Sequence, residues 1–265
     1  ASSPTTEKFP KLLTTDHVPN AVLVHEKVIS GGLPEGEPAF RELAEMNIKT
    51  IISVDGMKPD AELAARFGMR YVHLPHGYDG IPAERVLQLA KAVRELEGPI
   101  YIHCHHGKHR SPAAAGAACK AAGLIDGERA KKVLEVAGTG NNYRGLFAVV
   151  ANQRPVPAAE LEKLKVDYQA AVPIPPMAEA MVDIEHVFAN LKKLSQNQWS
   201  ALADHPELVV SHEATLLQEH FKELMRTPET LAQPAEFQQI LRNSEQLATS
   251  ILKLVSASDD QPSPT

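Results

Sequence analysis

Residues 103 to 111, His-Cys-His-His-Gly-Lys-His-Arg-Ser, concentrate one thiol, four imidazoles, two fixed cations and a hydroxyl. An apolar run, Pro99-Ile100-Tyr101-Ile102, precedes them and reads as a short buried strand. Pro112 to Ala118 follows and reads as a helix, with Ser111 at its N-cap and Pro112 at its first position. Cys104 then sits at a strand end, and Arg110 stands six residues on. A tight loop of this length turns its backbone N–H groups inward and forms an anion-binding concavity. The helix N-terminus adds partial positive charge at the same point. Arg110 supplies a planar fork that grips a phosphate through two hydrogen bonds. Cys104 lies beneath, its thiolate favoured by these neighbours. A thiolate under a bound phosphate is a nucleophile aimed at phosphorus.

Other readings of the cluster are weaker. Cysteine and histidine are good metal ligands, but consecutive loop residues point in different directions and no second ligand cluster is visible, so no metal is expected. His105, His106, Gly107, Lys108 and His109 are expected to line the phosphate site with Arg110. His103 is expected to support the loop by hydrogen bonding. Lys108 adds a cation that suits more than one phosphate, and the loop histidines add charge that depends on pH.

The spacing Cys104-x5-Arg110-Ser111, with Gly107 between, resembles the signature of cysteine-based phosphatases, above all the dual-specificity group. Gly107-Lys108-His109-Arg110 is similar to the loop of the atypical plant and fungal phosphatases that act on inositol pyrophosphates. Those have Thr-Gly after the arginine, where this chain has Ser111-Pro112. The resemblance spans about residues 20–150. It implies a phosphocysteine intermediate, no cofactor, and a phosphate monoester as substrate: an inositol phosphate or a phosphotyrosine protein. It also implies that Ser111 hydrogen-bonds the sulfur and helps the phosphoenzyme break down. In the resembled enzymes a mobile loop ahead of the signature brings the acid that protonates the leaving group. Asp79, 25 residues before Cys104 in a Gly-flanked loop, is eligible. Asp55, after the previous strand, is the runner-up and otherwise a supporting residue. Two alternatives stand beside this: a rhodanese-type sulfurtransferase, and a non-catalytic module that binds phosphorylated ligands.

Alternating elements must position the loop. Short strands are expected at 21–24, 28–29, 50–54 and 71–74, and helices at 38–47, 60–67 and 83–96, with a turn over 30–34. The pattern predicts an α/β fold: a mostly parallel central sheet with helices on both faces, and ligands beyond the carboxyl ends of the strands. After the loop come helices at 126–136 and 143–152. A Pro-rich linker, 156–176, encloses one short helix at 158–171. Three long helices at 177–199, 206–226 and 229–256 predict an all-α bundle over 177–257, a candidate for oligomerisation or partner docking. Residues 1–19 read as an arm, 20–155 as the phosphatase-like domain, and 258–265 as a disordered tail.

The chain has 265 residues, 43% of them apolar, which suits a globular core. Residues 1–155 carry 19 Lys and Arg against 17 Asp and Glu; residues 156–265 carry 8 against 16. The acidic second part argues against a nucleic-acid partner, and no apolar run is long enough for a membrane span. Two cysteines make no disulfide framework. Cys119 falls about 12 Å along the helix at ~1.5 Å per residue, out of bonding reach of Cys104, and reads as a buried apolar residue. There is no Cys-x-x-Cys-His, which excludes c-type haem attachment. The polar opening, Ala1 to Thr6, fits either a removed signal peptide, with periplasmic or secreted residence, or a trimmed cytoplasmic chain.

Overall fold

A computed structural model describes residues 9–259, with side chains as far as Val255. The chain divides into two compact units between Pro173 and Ile174. The first carries a six-stranded mixed sheet: β1 (Lys11–Leu12), β2 (Val22–His25), β3 (Val28–Gly31), β4 (Thr50–Ser53), β5 (Arg70–His73) and β6 (Ile100–His103). Its order is β1-β2-β3-β6-β4-β5. The first two pairings are antiparallel, and β3-β6, β6-β4 and β4-β5 are parallel.

Alternation along the strands sorts side chains into two cores. Ile29, Ile51, Tyr71 and Tyr101 face α1 (Gly36–Glu45) and α2 (Ala61–Arg66), meeting Phe40, Leu43 and Leu63. Val28, Ile52, Val72, Ile100 and Ile102 face α3 (Ala83–Glu95), α4 (Arg110–Ala121), α5 (Gly127–Ala137) and α6 (Arg144–Asn152). Helices on both faces explain why β3, β4 and β6 are buried end to end. Small residues in α4 let it pack closely: a Cβ on Gly116 would lie 3.1 Å from the Ala130 carbonyl oxygen of α5.

Local signals set some boundaries. Asp60 accepts from the Leu63 N–H to cap α2, and Asp126 accepts from the Arg129 N–H to cap α5. Several expectations are corrected. β3 runs through Ser30 and Gly31, where a turn was expected, because β6 pairs with it to Gly31↔His103. Residues 11–12 of the expected arm join the sheet edge; residues 1–8 lie outside the described residues. The helix expected over 158–171 is only α7 (Ala158–Lys163). α7 buries Leu161 in the core of the first unit, and Leu164 and Tyr168 beyond it pack against the same core.

The second unit contains α8 (Pro176–Gln196), α9 (Val210–Arg226), the short α10 (Pro228–Leu231) and α11 (Ala235–Asp259). The helix expected over 229–256 is broken before Pro234, which has no N–H to continue it. Ile184, Val187, Leu191, Leu217, Leu224, Leu241 and Ala248 form this unit's core. The expected tail lies outside the described residues from 260 onward. Among the described residues no helix is long and apolar enough to cross a membrane.

Candidate active site

The parallel register brings Gly31, His103 and Ser53 level, with His73 beside Ser53. The residues just beyond these strand ends therefore converge, among them Gly32, Cys104 and Asp55. Cys104 is buried at 3% exposure. Its Sγ lies 3.3 Å from Ser111 Oγ, and that hydroxyl donates to the Gly31 carbonyl at 2.8 Å. A serine hydroxyl has one proton. With that proton on Gly31, Oγ presents a lone pair to a thiol; for a thiolate it must turn its proton to sulfur. Ser111 is not the helix cap the sequence suggested. α4 begins at Arg110, and His109 occupies the N-cap with no side-chain capping hydrogen bond.

The loop carbonyls are tied outward one by one. His105 O accepts from the Leu33 N–H at 2.9 Å, Gly107 O from Asn20 Nδ2 at 2.9 Å, and Lys108 O from Thr139 Oγ1 at 2.6 Å. Cys104 O lies 3.4 Å from His103 Nδ1. In a trans peptide the following N–H points opposite to the carbonyl. The N–H groups of His105, His106, Lys108 and His109 therefore each point away from the partner that holds the preceding carbonyl. Gly107 has φ +70°, and a Cβ on it would stand 2.5 Å from Gly32 N.

Arg110 is buried, and its Nη2 donates to Asp55 Oδ2 at 3.1 Å. Its guanidinium carbon lies 4.3 Å from the Tyr78 ring centre. Tyr143 packs against both Tyr78 and His109, at 5.5 and 4.1 Å between ring centres. Three histidines stand behind this rim. Tyr71 Oη lies 2.5 Å from His103 Nε2. Burial raises the Tyr71 hydroxyl above its ordinary pKa and pushes His103 down to about 4. The tyrosine therefore keeps its proton and donates it to Nε2, leaving Nδ1–H for the Cys104 carbonyl. Burial likewise pushes His76 down to about 4 and lowers His73. It raises the Cys119 thiol to about 12, consistent with an inert core residue.

These three histidines make the fold acid-labile. They are neutral when folded, whereas an unfolded histidine takes a proton near pH 6.5. The contribution of His76 and His103 is complete above about pH 6.5 and is lost as pH falls toward about 4, and that of His73 is lost in the same direction. The melting temperature is expected to drop steeply across that window, and less so in His76→Gln. A melting temperature constant from about pH 7 to 4.5 would contradict this.

The sequence-predicted residues fall into three groups. Cys104, Gly107, Arg110 and Ser111 come together directly. Asp55 does not stand as a free acid; it is 1% exposed and paired with Arg110. Asp79 is exposed on the loop after β5, whose Tyr78 packs on Arg110. Lys108 and His106 are exposed, and His105 and His109 are half-buried. Residues that sequence reasoning missed are Asn20, Tyr71, His73, His76, Tyr78 and Thr139. The Gly31-Gly32 pair was a readable sign that another backbone approaches there; Asn20 and Thr139 carry no local signal.

No family model and no curated protein matches the chain. Among solved structures it is similar to TpbA of P. aeruginosa, with 22% identity over 49% of this chain and 82% of that one, TM-score 0.43. It is similar to TpbA in complex with pTyr, with 20% identity over 59% and 96%, TM-score 0.47. It is also similar to the core catalytic domain of the PP-IP phosphatase SIW14 of S. cerevisiae, with 16% identity over 58% and 93%, TM-score 0.45.

Proposed function

We propose that the chain is a cysteine-dependent phosphatase that cleaves phosphate monoesters through a phosphocysteine. The observation that supports this reading is a loop whose carbonyls at Cys104, His105, Gly107 and Lys108 are each held by a partner, with Ser111 Oγ 3.3 Å from the Cys104 sulfur and the buried Arg110 beside it in the chain. The phosphate's equatorial oxygens take the loop N–H groups and Arg110. Cys104 Sγ attacks phosphorus and the leaving oxygen departs with a proton from Asp79. Ser111 then turns its proton to the sulfur as the phosphocysteine is hydrolysed by water. Asp55 keeps Arg110 aligned. Lys108 and the loop histidines suit a multiply phosphorylated substrate such as an inositol phosphate. The aromatic rim of Tyr78 and Tyr143 favours a second reading, a phosphotyrosine side chain. The second unit, read as a helical bundle, serves oligomerisation or docking.

The test is hydrolysis of an aryl phosphate, with rapid acid quench and mass analysis of the Cys104 peptide. Vanadate-sensitive turnover with a phosphate-mass adduct on that peptide is expected. Absence of turnover, or sulfur transfer from thiosulfate to cyanide instead, would sink the reading. A panel of phosphotyrosine peptide against inositol polyphosphates separates the substrates. Asp79→Asn is expected to slow esters of poorly leaving alcohols by roughly 10²-fold or more, and activated aryl esters far less. If Asp79→Asn leaves both rates intact while Asp55→Asn abolishes them, the acid is misassigned.

A further inference from the structure

The segment after α7 returns along β5, the edge strand. The His73 N–H donates to Gln169 O at 2.9 Å, and Tyr168 Oη donates to Gln88 O of α3 at 3.2 Å. The Arg70 guanidinium carbon lies 5.8 Å from the Tyr168 ring centre. At the end of this strap the Val172 N–H donates to His73 Nδ1 at 3.1 Å. His73 Nε2 lies 2.8 Å from the Asp55 carbonyl oxygen. A backbone N–H only donates and a carbonyl only accepts, so the ring is the neutral Nε2–H tautomer. The side chain of Asp55 in turn takes Arg110 Nη2. Asp55 Oδ1 has no hydrogen-bond partner among the described residues. The carboxylate's aim therefore depends on Arg110 and on how the Asp55 backbone is held.

We propose that His73 is a positioning residue for Arg110, fixed in its tautomer by the Val172 N–H and acting through the Asp55 carbonyl. The proposal rests on the phosphatase reading and deepens it: the strap sets the geometry of the phosphate-binding arginine. The charged and titratable groups that face His73 are Asp55 beyond β4, Arg85 on α3 and His103 on β6. Asp55 favours a second proton on the ring and Arg85 opposes it. From the strap the Val172 N–H meets the ring, and a second proton on Nδ1 would displace it.

Three variants test this with aryl phosphate, kcat and KM being followed from about pH 5.5 to 8. His73→Leu removes both ring bonds and is expected to lower kcat/KM about 10-fold to 100-fold. His73→Gln, which keeps a donor for Asp55, is expected to recover most of that loss. Val172→Pro removes the N–H and puts a ring carbon in its place. It is expected to match wild type above about pH 7.5 and to lose activity on acidification, with a new ionisation near that of a free histidine, about 6.5. A Val172→Pro profile that superimposes on wild type, or a His73→Leu kcat/KM within twofold of wild type, overturns the proposal. If His73→Leu does not fold, the Val172→Pro profile decides. If wild type itself shows no turnover, the phosphatase reading falls by that result alone. The positioning role is then judged on tungstate affinity by calorimetry: about a tenfold loss in His73→Leu or Val172→Pro supports it, and unchanged affinity overturns it.

Discussion

Replacing Cys104 by serine is expected to lower aryl phosphate turnover by roughly 10⁴-fold to 10⁶-fold, the scale seen when a covalent nucleophile is removed. The fold should survive. The position is 3% exposed, and a serine oxygen is smaller than sulfur and is met by the Ser111 hydroxyl. The loop N–H groups and Arg110 are untouched, so inorganic phosphate or tungstate should still bind with an affinity close to wild type. A calorimetric titration beside the rate measurement separates the two effects. Rate loss with retained anion binding identifies sulfur as the nucleophile. Turnover that persists in Cys104→Ser, or loss of anion binding in a folded protein, would remove Cys104 from that role. Cys119→Ser is the control: its thiol is pushed up to about 12 by burial and plays no part in turnover.

Gly107→Ala is expected to be a strongly damaging single-methyl change in the first unit. Two effects add. The backbone there has φ +70°, which costs an L side chain about 1–2 kcal/mol. The new Cβ would also stand 2.5 Å from Gly32 N and 2.6 Å from the Gly31 carbonyl carbon. Neither atom can retreat cheaply. Gly32 N–H is bound to Pro19 O at 2.7 Å, and Gly31 O accepts from Ser111. Relieving the clash means moving the loop off β3, which adds about 1–3 kcal/mol. The sum predicts a fall in melting temperature of about 10 °C. Turnover should be lost even where the protein stays folded, because the cradle widens. Gly68→Ala and Gly123→Ala are the controls. Both sites have positive φ, but a Cβ there meets nothing within 4 Å. They should show the conformational cost and leave turnover unchanged. A Gly107→Ala protein as active as these would show that the close approach to β3 does not shape the cradle.

The candidate loop was legible in the sequence because its residues are neighbours in the chain. Cys104, Gly107, Arg110 and Ser111 lie within eight residues, bounded by an apolar strand and an alanine-rich helix. The alternation of elements was legible for a similar reason: hydrophobic period is a local property. It puts Ile51 and Ile52 on opposite faces of the sheet; which helices each one meets is decided by the fold. Errors came where a local signal was weaker than a distant partner. Ser30-Gly31 reads as a turn, yet β6 claims it for the sheet. Ser111 reads as a cap, yet its hydroxyl serves Gly31 and the sulfur. Pro234 was a visible breaker and should have divided the last helix.

Tertiary structure alone decided which way the loop's peptides face. That orientation depends on Leu33, on Asn20, which lies 87 residues from Gly107, and on Thr139, 31 residues from Lys108. It likewise decided that Asp55 binds Arg110, 55 residues away, and that Val172 reaches His73 from 99 residues away. A periodic pattern records which face of an element is buried; it does not record which distant donor satisfies which carbonyl. Those pairings are settled only when the strands align and every buried polar group must find a partner.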